Sequence, residues 1–229
     1  MSPDTAAWEA LRLSFWVACW ATLLAIPLAL WVAWILARRE FWGKSMLNAL
    51  VHLPLVLPPV VTGYLLLIAF GRSAPLGQAL EAIGLRLAFH WSGAVLAAII
   101  MGFPLMVRAM RLAIEAVDPK LEDAAATLGA PRHDVFMRVT LPLIAPGILA
   151  GAVMGFAKAM GEFGATITFV ANIPGQTQTL PSAIWTALQI PGGEGQAVVM
   201  VLMACAVAIG AVLLSEGLAK RVARRIAGT

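Results

Sequence analysis

Few side chains in this sequence stand at spacings that make or break bonds. Gly43-Lys44-Ser45 has the ending of a phosphate-cradling loop. The position five before Gly43 is Arg38 rather than glycine, so the close backbone approach such a loop needs is missing. His52, His90 and His133 lie far apart, and Cys19 and Cys205 sit in apolar runs, so no set has metal-ligand spacing. No nucleophile–base pair presents itself. The chain therefore reads as a non-enzyme that needs no cofactor. Lys158 and Glu162 are spaced i, i+4 and can pair on one helix face. That pair either makes both charges tolerable beside an apolar run or serves as a gate with an anion-attracting lysine. His52 is either a hydrogen-bonded interior residue or part of a pathway.

The elements that must position these groups are membrane spans. Of 229 residues, 61% are hydrophobic and only 12% are charged, a composition of integral membrane proteins. Charge-poor runs predict spans at about 11–36, 46–70, 87–115, 140–160 and 197–218, each near the roughly 20 residues that cross a bilayer. The expected architecture is an all-α integral membrane protein with five core spans in one domain over 1–229. The first run is not expected to be a signal peptide, because Asp4 and Glu9 precede it and Arg38 and Arg39 follow it.

Charge placement predicts orientation. One set of loops holds Arg38, Arg39, Lys44, Arg108, Arg111, Lys120, Arg132, Arg138, Lys220, Arg221, Arg224 and Arg225; the alternate set holds Arg12, Arg72 and Arg86. The positive-inside rule then puts the N-terminus outside and the C-terminus in the cytoplasm. The net charge of +4 is this bias and not a nucleic-acid footprint. Ionisable groups within the spans are otherwise nearly absent, which counts against a proton-coupled carrier with its titratable relay.

Two regions are irregular. The second span carries Pro54, Pro58 and Pro59, which must break or kink it. The helix restarting after Pro59 would present free N–H groups near Thr62 and Gly63. Broken helices often surround a transported solute, although a packing kink is the plainer reading. The second region, 163–193, has no charge and is rich in Thr, Gln, Gly and Pro. It is either a re-entrant segment, tolerated only where protein or a wet cavity covers it, or an outer loop with a surface helix near 182–189.

One polar segment, 118–142, interrupts the apolar runs and falls on the cytoplasmic side. Asp118 and Pro119 make a helix start, and Gly129 suits the left-handed position past its end. Leu121, Ala124, Ala125 and Leu128 form one stripe, with Lys120, Glu122, Asp123 and Thr127 on the other faces. Either side could meet a partner. A second short helix is expected over about 131–139, with Val135, Phe136 and Val139 on one side and Pro142 ending the unit.

This segment resembles the EAA loop of bacterial ABC-importer permeases. Asp123-Ala124-Ala125, three residues, Gly129, nine residues and Val139-Thr140-Leu141-Pro142 match that pattern, with Asp for Glu and Val for Ile. The stretches HLPLVLPPVVTGYLLL (52–67), MGFPLMVRAMRLAIEAVD (101–118) and AMGEFGATITFVANIPGQTQTLPSAIWTAL (159–188) are similar to the molybdate-transport branch of that family. The resemblance implies a type I importer permease fold in the bacterial inner membrane. It also implies a homodimer, two copies of a cytoplasmic ABC ATPase and a periplasmic molybdate-binding protein. Coupling to the ATPase is expected at Glu122, Asp123, Ala124, Ala125, Thr127, Gly129 and Ala130. The anion path is expected at Thr62, Gly63, Lys158, Glu162, Gly164, Thr166 and Thr168, where hydroxyl and N–H donors guide an oxyanion without trapping it. A dianion entering against an inside-negative potential of 100 mV faces about 4.6 kcal/mol, so accumulation needs a coupled energy source. Tungstate or sulfate as cargo, or an ATP-independent channel or carrier, are the alternatives.

Overall fold

The computed structural model describes the backbone of residues 3–227 and the side chains of 5–214, 216, 217 and 221. The side chains of Lys220, Arg224 and Arg225, on which the expected orientation partly rests, lie outside the described residues. The described residues are helical, with no strand among them. In chain order the helices are α1 (Pro3–Arg38), α2 (Lys44–Val56), α3 (Pro59–Phe70), α4 (Pro75–Ala82), α5 (Trp91–Glu115), α6 (Pro119–Thr127) and α7 (Arg132–Val135). A π-helical turn (Phe136–Thr140) follows, then α8 (Leu141–Met160), α9 (Gly164–Phe169), α10 (Leu180–Leu188) and α11 (Glu194–Ala227).

Among the described residues four helices are long and apolar enough to cross a membrane: Thr5–Arg38, Trp91–Glu115, Arg132–Met160 and Glu194–Leu214. The α2–α3 pair makes a fifth if it counts as one span, broken by a bend of 113°. The break falls where the prolines demand it. Pro58, which has no N–H and a fixed φ, caps α3, and Pro59 opens it. Four of the five expected spans have a long apolar helix as counterpart, and the second has one where the bent pair is taken as a single span.

Two expectations are corrected. The N–H groups of Val61 and Thr62 both turn back to the Pro58 carbonyl, so the start of α3 does not present an open donor at Thr62. Gly63 lies one residue deeper in the helix. Nor does Pro142 end the polar unit. The helix runs on from Arg132 to Met160, because the π-turn shifts the bonding register and Leu141 N–H reaches the Phe136 carbonyl. Pro27, Pro104 and Pro146 likewise lie inside helices of this chain, so Pro142 at the start of α8 interrupts nothing.

The central helix is α5. In its apolar window 61% is buried, against 11% for α11, so α5 is wrapped by the chain and α11 lies at the periphery. Its most extensive contacts are with α1 and α8. Ala18, Ala21, Ala25, Ala29 and Ala33 line the inner face of α1 at helical spacing and are almost fully buried. In lipid, small residues hold helices together by close backbone approach and dispersion, since apolar burial alone gains little there. The same device recurs where Gly147, Gly151 and Gly155 of α8 sit against α5. The outward face of α1 instead carries Trp8, Leu23 and Trp31, each about three-fifths exposed.

Candidate functional site

The polar segment folds as its caps dictate. Asp118 Oδ1 accepts the N–H of Lys120 at 3.0 Å, and Pro119 takes the first helical position of α6. At the far end Gly129 has φ +88°, its N–H bonds the Ala126 carbonyl, and Ala130 N–H reaches back to Ala125. That is a Schellman close, which only a residue at ease in the left-handed region makes without strain.

The faces of α6 then separate. Leu121, Asp123, Ala124, Thr127 and Gly129 are exposed, and Leu128 is 89% exposed. Glu122, Ala125 and Ala130 turn towards the chain. Glu122 Oε1 accepts the Thr140 hydroxyl at 2.7 Å and Arg38 Nη2 at 3.3 Å. The expected seven-residue surface therefore divides, and Glu122 belongs to the side that grips the rest of the chain. The outward stripe is Leu121, Ala124 and Leu128. Val135, Phe136 and Val139 of the following helix turn inward, as expected.

The candidate path residues gather around α3 and α9. Gly63 and Gly164 are both points of close approach: a β-carbon on Gly164 would stand 2.7 Å from Pro59 Cβ. Thr62 and Thr166 are buried. The Thr62 hydroxyl has no hydrogen-bond partner among the described residues, and Thr168 donates to the Gly164 carbonyl. The carboxylate of Glu162, 2% exposed, accepts Lys158 Nζ at 2.8 Å and the Ala165 N–H at 3.0 Å. A buried carboxylate is tolerable only with such partners, and here they tie the end of α8 to the first turn of α9.

The segment 163–193 is knitted into the chain. α10 covers the expected surface helix but buries Leu180, Ser182, Ala183 and Ala187 against neighbouring helices. Ser14 Oγ of α1 accepts the Leu180 N–H at 2.7 Å. Thr177 Oγ1 accepts the Ile173 N–H at 3.0 Å and closes the preceding turn, and Asn172 Nδ2 donates to Thr186 Oγ1 at 2.7 Å.

Two clefts border these elements. One, of about 680 Å³, lies between α1, α8 and α11 and is lined by apolar residues such as Phe15, Leu23, Leu149 and Phe156, a surface for acyl chains or helices rather than a dianion. The other, of about 260 Å³, lies between α2 and α5 and is lined by Asn48, His52, Arg108 and Arg111. His52 Nδ1 lies 2.8 Å from the Asn48 carbonyl, and Arg111 is held by Glu115 and Asn48. The sequence singles out His52, as an interior or a pathway residue, and the structure has it half-buried in this cleft; Arg38, Thr140 and Ala165 are not singled out as site residues. Arg38 was legible only as a topology charge, and Thr140 and Ala165 carry no signal apart from their neighbours.

Comparison with known proteins places these features in context. Residues 25–228 match the family model described as binding-protein-dependent transport system inner membrane component. The Escherichia coli K12 protein "Molybdenum transport system permease protein ModB" is 54% identical over 222 residues, which cover 96% of this chain and 96% of that protein. Its namesake in Haemophilus influenzae is 52% identical over 219 residues, 95% of this chain and 96% of that one. Among solved structures, a bacterial alginate ABC transporter in complex with its periplasmic protein superposes with a TM-score of 0.74 at 18% identity, covering 93% of this chain and 78% of that one.

Proposed function

The chain belongs to the family of binding-protein-dependent transport system inner membrane components, and on that premise we propose that it is the membrane subunit of an ATP-driven molybdate importer. The cargo rests on near-full-length identity of 54% to a relative named for molybdenum transport. The coupling role rests on one structural observation. A doubly capped helix, α6, holds Glu122 inward and leaves an apolar stripe ending in Leu128 uncovered. An exposed apolar stripe rimmed by polar residues supports that reading.

In this account two copies of the chain pair about a two-fold axis and enclose the path, which a single set of five spans is too small to surround. The N-terminus lies outside and the C-terminus in the cytoplasm of a bacterial inner membrane. Two ABC ATPase subunits dock on α6 through Leu121, Asp123, Ala124, Thr127, Leu128 and Gly129. A periplasmic molybdate-binding protein delivers the anion to the outward-open state. Closure of the ATPase dimer sets that state, and hydrolysis returns the spans inward. The path runs by α3 and α9, with Thr62 and Thr166 supplying hydroxyls, the Thr168 hydroxyl being engaged by the Gly164 carbonyl, and Gly63 and Gly164 setting the spacing of the helices that carry them. Lys158 and Glu162 hold the outer end of α8 to α9.

The test is assembly. The chain expressed with its partners is expected to co-purify with two copies of an ABC ATPase and to bind a molybdate-loaded periplasmic protein. Isolation of the chain alone as the active species would contradict the reading.

A further inference from the structure

We infer that Arg38, Glu122 and Thr140 form a joint that fixes the docking helix α6 to the spans, with Glu122 as its central positioning residue. This deepens the functional reading above and rests on it. The observation is a closed circuit of side chains across three elements far apart in sequence. Thr140, 1% exposed, donates its hydroxyl to Glu122 Oε1 at 2.7 Å. Arg38, in the last turn of α1, donates Nη2 to the same oxygen and to the Val117 carbonyl, both at 3.3 Å. The Arg38 guanidinium lies 5.9 Å from the Trp34 ring centroid. Trp34 in turn packs edge-on against Phe136, the first residue of the π-turn, with centroids 5.2 Å apart.

The consequence is mechanical. The exposed face of α6 makes no bond that ties it to the spans in the described residues, whereas Glu122 ties its inner face at once to the end of α1 and the base of α8. A displacement of α6 by a docked partner is therefore passed to both. The carboxylate suits this role because one oxygen accepts two donors, one charged and one neutral. The side chains of Arg38 and Glu122 are 18% and 21% exposed, so water competes weakly for the bond. The π-turn is where the α8 end of the circuit lands, and such turns concentrate at places where a helix must adjust.

The substitutions that test this keep the shape and change one bond. Thr140→Val removes the hydroxyl at nearly constant volume, Thr140→Ser keeps the hydroxyl and loses the methyl, and Glu122→Gln removes the charge. The readout is ATP hydrolysis by the reconstituted full complex with and without its loaded binding protein, together with co-purification of the ATPase. The joint predicts that the Val and Gln variants still co-purify but lose at least tenfold of the binding-protein response, while the Ser variant keeps it. Equal responses in all three, a Ser variant worse than Val, or loss of co-purification in the Val and Gln variants would each overturn it. A wild-type complex with no response sinks the functional reading, and the joint with it, before any substitution is compared.

Discussion

Gly63 of α3 and Ala165 of α9 meet backbone to backbone: a β-carbon on Gly63 would stand 2.5 Å from the Ala165 carbonyl oxygen and 2.8 Å from its Cα. With the reciprocal approach of Gly164 to Pro59, this makes α9 and the start of α3 a single unit directly after the break in the second span. The two glycines set the distance between the helices on which the expected path residues stand.

Gly63→Ala is therefore expected to force α3 from α9, since neither contacting atom belongs to a flexible side chain. Overpacking of this kind costs about 1–3 kcal/mol. The check is thermal unfolding in detergent, where Gly63→Ala should lower Tm and Gly195→Ala, whose β-carbon meets nothing within 4 Å, should not.

Glu162→Ala removes the partner of Lys158 and bares the Ala165 N–H. The Lys158 side chain is 29% exposed and can turn to water, so the main cost is the bared Ala165 N–H, about 1–3 kcal/mol. The double variant Lys158→Met/Glu162→Gln removes both charges and is expected to recover most of the lost stability in the same unfolding assay. If the double variant is as unstable as the single one, the pair is not what holds α8 to α9.

Leu128 separates docking from folding. At 89% exposure it contributes little to the chain's own stability, so Leu128→Asp should change it by no more than about 0.5 kcal/mol. At an interface centre the same change costs about 2 kcal/mol or more. Titration of the purified ATPase onto the membrane subunit should show at least a tenfold weaker complex. Unchanged affinity would place the ATPase on another face.

Gly129 tests the turn and the interface independently. Its β-carbon would meet nothing within 4 Å, so only its φ of +88° and its surroundings in the complex restrict it. Gly129→Ala is expected to strain the close of α6 by about 1–2 kcal/mol. Asn and Asp tolerate that conformation, so Gly129→Asn should keep uptake, whereas Gly129→Asp should insert normally and uncouple it. Equal uptake in the Asn and Asp variants would show that charge at this position is immaterial.

The residues differ in how much of this was legible from sequence, and the difference is physical. The caps at Asp118, Pro119 and Gly129 act within a few residues, so their types announce the helix they close. Pro58 and Pro59 announced the break for the same reason. The bonds of Glu122 were not legible, because its partners Arg38 and Thr140 are brought to it only by the packing of α1, α6 and the π-turn. For the same reason the sequence offered two faces of α6 without a choice between them. The continuity of the helix through Pro142 was hidden as well: a proline is compatible with an end or with the first turn of a new helix, and nothing local signals the π-turn that joins the two. Gly63 and Gly164 carry no side-chain signal in the sequence, and only the tertiary contact with Ala165 and Pro59 shows why a side chain is excluded.

The central claim is that this chain moves molybdate only when a partner hydrolyses ATP. The measurement is uptake of labelled molybdate into proteoliposomes that contain the chain, its ATPase and the loaded binding protein. The account predicts ATP-dependent accumulation that stops when the ATPase nucleotide site is disabled and that excess sulfate does not compete away. ATP-independent flux through the chain alone, or sulfate taken up in preference, would contradict it.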